Sequence, residues 1–338
     1  MAKNLAHIAE RKAFGMVLNS VIEKGRKGDF AEEALKLIDK IEKILGSSWQ
    51  SSSYEMLRNI AHSPDSKWAH YAERIIREVD PHILKTFLLN AGYEAGFRGY
   101  KTSLEMEEKY GCNIPWIILM DPTTACNMHC TGCWAAEYGN KLNLTLEEMN
   151  SIITQGKAMG TYMYIFTGGE PLVRKKDVIA LCEKHPDCEF LSFTNGTLID
   201  EEFCNEMLRV KNFIPAISLE GFEQANDDRR GDGVYGKVMH AMELLKAHNL
   251  PFGISTCYTS RNVNDVSSEA FFDQIIDAGA LFIWFFHYMP VGSGAAPELL
   301  PTPEQRTMMY RRIRAYRKTK PIFSIDFQND GEYVGGCI

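Results

Sequence analysis

The chain has 338 residues, of which 45% are apolar and 24% are charged, with 37 Lys and Arg against 44 Asp and Glu. The length favours two domains, or one large domain with an addition. The net charge of −7 disfavours a protein whose main role is to grip nucleic-acid phosphates. No apolar run reaches the length of a membrane span, and the N-terminus lacks the apolar core of a signal peptide. We therefore expect a cytoplasmic protein that does not span a membrane.

Residues 1–110 show helical periodicity and predict an all-helical N-terminal domain. Over residues 30–45, apolar residues recur every three to four positions with Asp, Glu and Lys between them. The first 30 residues carry six Lys or Arg and three Asp or Glu. A basic amphipathic helix can contact a membrane surface or an acidic partner, although most such helices simply have a solvated face.

From residue 113, short apolar runs alternate with helical patterns. The predicted strands cover residues 116–120, 162–167, 189–194, 213–219, 252–259 and 281–289. Capping boxes at Thr145 to Glu148 and Thr302 to Gln305 mark two helix starts. Six strands that are each followed by a helix predict a parallel sheet with right-handed crossovers. An open partial barrel over residues 111–300 and a doubly wound sheet both fit this pattern, and residues 301–338 add a helix and a strand.

Three cysteines follow the first predicted strand within eight residues. They are Cys126, Cys130 and Cys133, spaced so that one loop can hold one metal centre. Thiolates are soft ligands that suit iron–sulfur clusters, zinc or Cu(I). A structural zinc site needs four ligands, and only His129 lies nearby, so three ligands with an open position favour a catalytic centre. A zinc loop remains the alternative.

A glycine-rich turn follows the second predicted strand. Its residues are Gly168, Gly169 and Glu170, about 35 residues after the cysteine loop. Paired glycines let a ligand approach the backbone closely, and a carboxylate beside them can accept from an ammonium group. Because neighbouring parallel strands end at the same edge of a sheet, the two motifs together indicate one site.

These two motifs resemble those of the radical S-adenosylmethionine (radical SAM) superfamily, and the similarity covers about residues 113–300. The resemblance implies a partial (β/α)6 barrel in which Cys126, Cys130 and Cys133 ligate a 4Fe–4S cluster. S-adenosylmethionine binds the fourth iron, and Gly168, Gly169 and Glu170 bind its amino group. A reductant such as flavodoxin or ferredoxin supplies one electron. The cofactor then yields a 5′-deoxyadenosyl radical that abstracts hydrogen from a substrate, as expected of an oxidoreductase or modifying enzyme.

The resemblance also assigns cofactor contacts to residues at or after the carboxyl ends of the third and fourth strands: Thr194, Asn195, Ser218, Glu220 and Arg230. Arg230, which we favour over Arg229, is expected to pair with the cofactor carboxylate. Polar and apolar residues alternate on these strands, so we expect the polar set to face the lumen and the apolar set the helices. Where the family usually has an aromatic residue before the third cysteine, this chain has Gly132, and Trp134 is expected to serve instead.

The substrate is not identified by the sequence. A peptide, a cofactor precursor and a lipid are the three candidate classes. Cys257 shares strand parity with Ser255 and Thr259, so it is a candidate lumen residue that returns hydrogen to a substrate radical. Cys337 resembles the beginning of a SPASM or twitch accessory domain, which we expect to be truncated here. The alternative function is a zinc-stabilised binding or scaffold protein.

Overall fold

The computed structural model describes residues 2–28, 30–45, 51–63, 65–135, 141–292 and 294–334, so Cys337 lies outside the described residues. Its centre is one parallel sheet in which neighbouring strands follow one another in the chain. The strands are β1 (Ile117–Thr123), β2 (Met163–Gly168), β3 (Glu189–Thr194), β4 (Phe213–Ser218), β5 (Gly253–Tyr258), β6 (Phe282–His287) and β7 (Phe323–Asp326). A doubly wound sheet reverses its strand order part-way across, so this unbroken order identifies the partial barrel. β7 joins the six predicted barrel strands.

The sheet is strongly curved. β3 and β6 are three strand positions apart, which in a flat sheet is roughly 14 Å. The ring centroids of Phe193 on β3 and Trp284 on β6 are nevertheless only 5.2 Å apart. Both side chains therefore lie on the concave face, which we call the lumen. Ser255 pairs in register with Ser218 and with Trp284, so these three residues share the lumen face.

The predicted orientation of the third strand is wrong. Phe193 faces the lumen, so its neighbour Thr194 points toward the helices. The register between β3 and β4 explains this orientation. Phe193 pairs with Ala216 of β4, and Ala216 lies on the same face of the sheet as Ser218. The sequence argument assumed that apolar residues face the helices, whereas the lumen of a barrel is itself packed with side chains. On β4 and β5 the prediction is confirmed, since Ser218 and Cys257 lie on the lumen face.

Helices alternate with the strands, as predicted. They are α7 (Leu146–Met159), α8 (Lys175–Lys184), α9 (Glu201–Val210), α10 (Glu223–Arg230), α11 (Val234–Ala247), α12 (Val263–Val266), α13 (Glu269–Asp277), α14 (Pro303–Thr319) and α15 (Phe327–Val334). Both predicted capping boxes are present, at the starts of α7 and α14. α10 escaped prediction because its sequence is almost wholly polar and shows no apolar periodicity.

The N-terminal helices lie at the amino-terminal edge of the sheet. They are α1 (Ala2–Lys27), α2 (Phe30–Leu45), α3 (Ser51–Ala61), α4 (Lys67–Glu78), α5 (Pro81–Phe87), a π-helix (Leu88–Gly99) and α6 (Tyr100–Tyr110). Asp80 N donates to the Asn249 carbonyl (2.8 Å) ahead of β5, and Asn90 Nδ2 donates to the Cys188 carbonyl (2.8 Å) ahead of β3. Because all strands run the same way, this region lies at the edge opposite their carboxyl ends.

Two arginines of α1 form hydrogen bonds with other helices of the N-terminal region. Arg11 Nη1 donates to Glu94 Oε1 (2.7 Å), and Arg26 Nη1 donates to the carbonyls of Ile76 and Val79 (both 2.8 Å). These charges therefore fasten α1 to α4 and to the π-helix. Among the helices that the structure describes, none combines the length and the apolar character that crossing a bilayer requires.

Candidate active site

The three predicted ligand cysteines lie on the loop after β1, at the carboxyl edge of the sheet. Cys126, Cys130 and Cys133 are each half-buried. Cys133 N donates to the Cys130 carbonyl (3.2 Å), which forms a tight turn between the last two thiols. Burial raises the pKa of Cys126 and of Cys130, and at Cys130 the charges of Arg230 and Arg229 oppose this effect. The thiols must therefore release protons when they bind a metal.

Neighbouring segments hold the cysteine loop from two sides. Asn195 Nδ2, just after β3, donates to Asn127 Oδ1 (2.8 Å) within the loop. Thr131 N, between the second and third cysteines, donates to the carbonyl of Arg229 (2.9 Å) at the end of α10. Thus Asn195, for which the family resemblance implies a cofactor contact, supports the loop with its side-chain amide.

The predicted glycine turn lies directly against the cysteine loop. Gly168 has a φ of +107°, which favours glycine. A Cβ on Gly169 would lie 2.2 Å from the carbonyl oxygen of Ala125, the residue before the first cysteine. Gly169 N donates to the Thr123 carbonyl (3.0 Å), and Glu170 N donates to the Ala125 carbonyl (2.8 Å). The two motifs are therefore one hydrogen-bonded unit, which only glycine at position 169 permits.

Glu170 is buried and is fully engaged by neighbouring groups. Thr194 Oγ1 (2.6 Å) and Leu172 N (2.9 Å) donate to its Oε1, and Asn195 N (2.7 Å) donates to its Oε2. Burial raises the pKa of Glu170, while these hydrogen bonds and the charge of Arg230 oppose the rise. In this arrangement, the carboxylate of Glu170 and the hydroxyl of Thr194 fix the end of β2 to the end of β3.

A buried ionic group lies at the end of β4. It consists of Glu220, Arg229 and Arg230, and we call it the Glu220 group. Arg229 Nη1 (2.6 Å) and Arg230 Nε (3.0 Å) both donate to Glu220 Oε1. Cys257 N donates to the second carboxylate oxygen (3.0 Å), which links the group to β5. The carboxylate of Glu220 thus binds two arginines and a neighbouring strand.

The two arginines of the Glu220 group differ in their remaining capacity to donate. Arg230 directs both Nε and Nη2 to the carboxylate of Glu220. The Nε of Arg229 is buried and has no hydrogen-bond partner among the described residues. The sequence favours Arg230 over Arg229 as the partner of a cofactor carboxylate, whereas the buried unpaired donor belongs to Arg229. The Arg-Arg pair is visible in the sequence, but the helical turn that orients each guanidinium is not.

Cys257 lies on the lumen face of β5, between the Glu220 group and an aromatic cluster. Burial raises the pKa of its thiol to about 11. Its register partner on β6 is Phe286. Phe286 lies 5.7 Å from Phe193 and 6.3 Å from Trp284, centroid to centroid. Phe193, Trp284 and Phe286, all half-buried, form what we call the lumen aromatic cluster.

The space beside Gly132 is filled from the opposite side of the barrel. Gly132 has a φ of +67°, and a Cβ there would lie 2.6 Å from the hydroxyl oxygen of Tyr288, which follows β6. That hydroxyl accepts from Ala296 N (2.8 Å). Trp134, the expected substitute for the aromatic residue that the family has at this position, is 48% exposed. The sequence does not predict Tyr288 beside Gly132, because this contact joins the segment after β6 to the loop after β1, which are far apart in the chain.

The donor set at this edge suits an iron–sulfur cluster. Three thiols on one loop are soft ligands, and the Glu220 group adds net positive charge beside them. Over the described ranges, no group of three or more His, Cys, Asp or Glu side chains is arranged to hold a single metal ion. In a cluster each thiolate binds its own iron, so the ligands surround the group and need not converge on one point.

Comparison with known families identifies the domain. Residues 120–274 match the model of the Radical SAM superfamily. The chain carries a radical SAM domain. The matched residues include the cysteine loop, the glycine turn and the Glu220 group. Membership in this family implies that the domain uses S-adenosylmethionine and an iron–sulfur cluster.

Two curated relatives of the radical SAM domain come from Methanosarcina barkeri (strain Fusaro / DSM 804). The chain is 26% identical to an Fe-coproporphyrin III synthase over 232 residues, covering 64% of this chain and 57% of that protein. It is 27% identical to an AdoMet-dependent heme synthase over 203 residues, covering 58% of this chain and 57% of that protein. The chain therefore matches little more than half the length of these relatives.

The fold of the chain is similar to that of Streptococcus suis SuiB. The structure of SuiB bound to S-adenosylmethionine superposes with a TM-score of 0.57 at 14% identity, covering 78% of this chain and 67% of that one. The structure of SuiB bound to its precursor peptide SuiA gives a TM-score of 0.56 at the same identity and coverage. At this level of identity the similarity concerns the fold alone.

Proposed function

We propose that the chain is the catalytic part of a radical SAM enzyme that abstracts hydrogen from its substrate. The observation that carries the proposal is the union of the cysteine loop and the glycine turn through Gly169 and Glu170, beside the positively charged Glu220 group. This brings ligands for a metal cluster, an accessible backbone and arginine donors to one edge of the sheet. Parallel barrels carry their active sites at that edge.

Under this proposal, Cys126, Cys130 and Cys133 hold a 4Fe–4S cluster. These residues would place the cluster where it would supply one-electron reduction of S-adenosylmethionine, with the electron from a donor such as flavodoxin or ferredoxin, and so give methionine and a 5′-deoxyadenosyl radical. The residues of this chain bind and orient the cofactor, and they exclude water from it. The backbone of Gly168 and Gly169 receives the methionine end of the cofactor.

Other contacts are assigned by the donors that remain available. Arg229 offers to the cofactor carboxylate its buried Nε, which has no hydrogen-bond partner over the described ranges, and Arg230 supports Arg229 by sharing Glu220. Ser218, half-buried on the lumen face, is a ribose contact. Glu170, Thr194 and Asn195 act as positioning residues through the hydrogen bonds that join β2, β3 and the cysteine loop.

A direct test is anaerobic reconstitution with iron and sulfide, followed by reduction with dithionite and measurement of 5′-deoxyadenosine. We expect the wild-type chain to bind about four irons and to form this product. The variant with Cys126, Cys130 and Cys133 all changed to Ala should do neither. Cys112→Ala is the matched control, because Cys112 is an exposed thiol outside the loop and its loss should change nothing.

The same experiment separates the proposal from a zinc-stabilised scaffold. A colourless protein that retains one zinc per chain and leaves S-adenosylmethionine intact would favour the scaffold. An iron-loaded wild-type protein that forms no 5′-deoxyadenosine would contradict the enzymatic proposal.

Among peptide, cofactor-precursor and lipid substrates, we infer a cofactor precursor with a flat apolar ring system. The lumen aromatic cluster offers rings on which such a system can stack, close to Cys257. Leu119, on the lumen parity of β1, is 56% exposed and extends this apolar surface. The names of the two Methanosarcina relatives, an Fe-coproporphyrin III synthase and a heme synthase, favour the same class.

Trp284 provides a probe for this substrate class. Binding of Fe-coproporphyrin III should quench its fluorescence, and Trp284→Phe should remove most of that quenching while keeping an aromatic ring in place. A fatty acid and an unstructured peptide are the comparison ligands, and we expect neither to compete. Equal quenching of wild type and Trp284→Phe, or displacement by either comparison ligand, would argue against a flat ring substrate in the lumen.

A further inference from the structure

The Glu220 group carries two guanidinium charges against one carboxylate. All three side chains are removed from bulk water, since the Glu220 side chain is 0% exposed and those of Arg229 and Arg230 are 13% and 11% exposed. A charge at such depth is screened much less by salt than a surface charge. The group is therefore a fixed, net positive centre within the protein.

This centre is attached to the cysteine loop by the backbone. Thr131 N, between Cys130 and Cys133, donates to the carbonyl of Arg229 (2.9 Å). The same residue thus anchors the loop with its main chain and supplies a charge with its side chain. The net positive centre is therefore attached directly to the segment that carries the thiols.

The excess charge belongs mainly to Arg229. Arg230 donates from both Nε and Nη2 to Glu220, so its positive charge is paired with the negative charge of that carboxylate. Arg229 makes one bond to Glu220 through Nη1, and its Nε is buried with no hydrogen-bond partner in the part of the chain that the structure describes. The carboxylate thus keeps Arg229 in place without using all of its donors.

We propose that Arg229, held in position by Glu220, raises the reduction potential of the iron–sulfur cluster bound at the cysteine loop. This inference rests on the proposed function. Reduction adds one electron, taken from a donor such as dithionite or flavodoxin, to a group that three thiolates already make negative. A fixed positive charge beside that group favours the added electron. Arg229 and Glu220 are positioning and tuning residues for the cluster, and Arg229 retains its donor for the cofactor.

The test is a redox titration of the reconstituted protein, followed by the electron paramagnetic resonance signal of the reduced cluster. Arg229→Gln should make the cluster at least tenfold harder to reduce, which for one electron is a midpoint 59 mV more negative. Glu220→Gln removes the opposing charge and keeps the side-chain shape, so its midpoint should move the other way. Arg229→Lys should stay near wild type, and Arg209→Gln, at an exposed arginine of α9, is the matched control.

The opposite signs distinguish an electrostatic effect from a loss of packing. Midpoints that move in the same direction in Arg229→Gln and Glu220→Gln, or that equal the wild-type value, would overturn the inference. If Arg229→Gln fails to retain the cluster, the Glu220→Gln variant tests the inference alone. In that case only a midpoint potential more positive than that of the wild type supports the inference, and any other value overturns it. Absence of any 4Fe–4S cluster in the wild-type chain would instead overturn the proposed function, and this inference with it.

Discussion

The contact between the glycine turn and the cysteine loop predicts a large effect for a single methyl group. In Gly169→Ala, the new Cβ would lie 2.2 Å from the Ala125 carbonyl oxygen and 2.6 Å from the Thr124 carbonyl oxygen. These are backbone atoms, so no side chain can rotate away. An ordinary contact begins at 3.4 Å, so the two segments must separate by about 1.2 Å. Such overpacking costs about 1–3 kcal/mol.

The separation also affects two hydrogen bonds. Gly169 N to the Thr123 carbonyl (3.0 Å) and Glu170 N to the Ala125 carbonyl (2.8 Å) both cross the gap that opens. Each contributes about 0.5–1.5 kcal/mol. Together with the overpacking, we expect Gly169→Ala to lower the free energy of unfolding by about 2–6 kcal/mol.

Urea unfolding of the apoprotein measures this loss, and iron content after reconstitution measures its effect on the site. Gly236→Ala is the matched control, because Gly236 lies in α11 and its added Cβ would meet no described atom within 4 Å apart from its chain neighbours and the backbone of its own helix. That substitution should leave stability unchanged or raise it by up to about 1 kcal/mol. Equal stabilities and equal iron contents in the two variants would refute the claim that the motifs are one unit.

Three further predictions concern other parts of the structure. Gly132→Ala should destabilise the apoprotein, since its Cβ would lie 2.6 Å from the hydroxyl of Tyr288, and the added variant Tyr288→Ala should remove part of that loss in urea unfolding. Cys257→Ser should retain full iron by colorimetric assay because Cys257 belongs to β5 and is not one of the three loop cysteines. Lower substrate turnover with normal 5′-deoxyadenosine formation would support a role in returning hydrogen. Burial lowers the pKa of His185 from 6.5 to about 4 in the folded protein. Between these two pH values the unfolded chain binds a proton at His185 and the folded chain does not, so the free energy of unfolding should fall as the pH is lowered through this window. His185→Gln should flatten this pH dependence in thermal unfolding, and an unchanged slope would contradict the assignment.

Many helices and strands of the barrel can be predicted from the sequence because the patterns that indicate them lie within short segments of the chain. Capping boxes at Thr145 and Thr302 depend on residues three positions apart, and both helices begin where these boxes predict. Apolar runs between turn residues predict the strands to within a few positions. The cysteine loop and the glycine turn meet because consecutive parallel strands end at one edge.

Other features depend on contacts between distant parts of the chain. The lumen position of Phe193 follows from its register with β4 and from Trp284 on β6, neither of which a single strand specifies. Tyr288 beside Gly132 joins the last part of the barrel to the first. The placement of the N-terminal helices depends on contacts with distant segments, such as the hydrogen bond from Asn90 to Cys188. No periodicity in the sequence encodes these pairings.

The most direct test of the site is the electron paramagnetic resonance spectrum of the reduced, reconstituted chain with and without S-adenosylmethionine. If Cys126, Cys130 and Cys133 hold a 4Fe–4S cluster, they would ligate three irons, and S-adenosylmethionine would bind at the fourth. We therefore predict a 4Fe–4S signal whose shape changes when S-adenosylmethionine is added, with a smaller change in Gly169→Ala. A signal that S-adenosylmethionine leaves unaltered, or a protein that binds zinc in place of iron, would contradict the account.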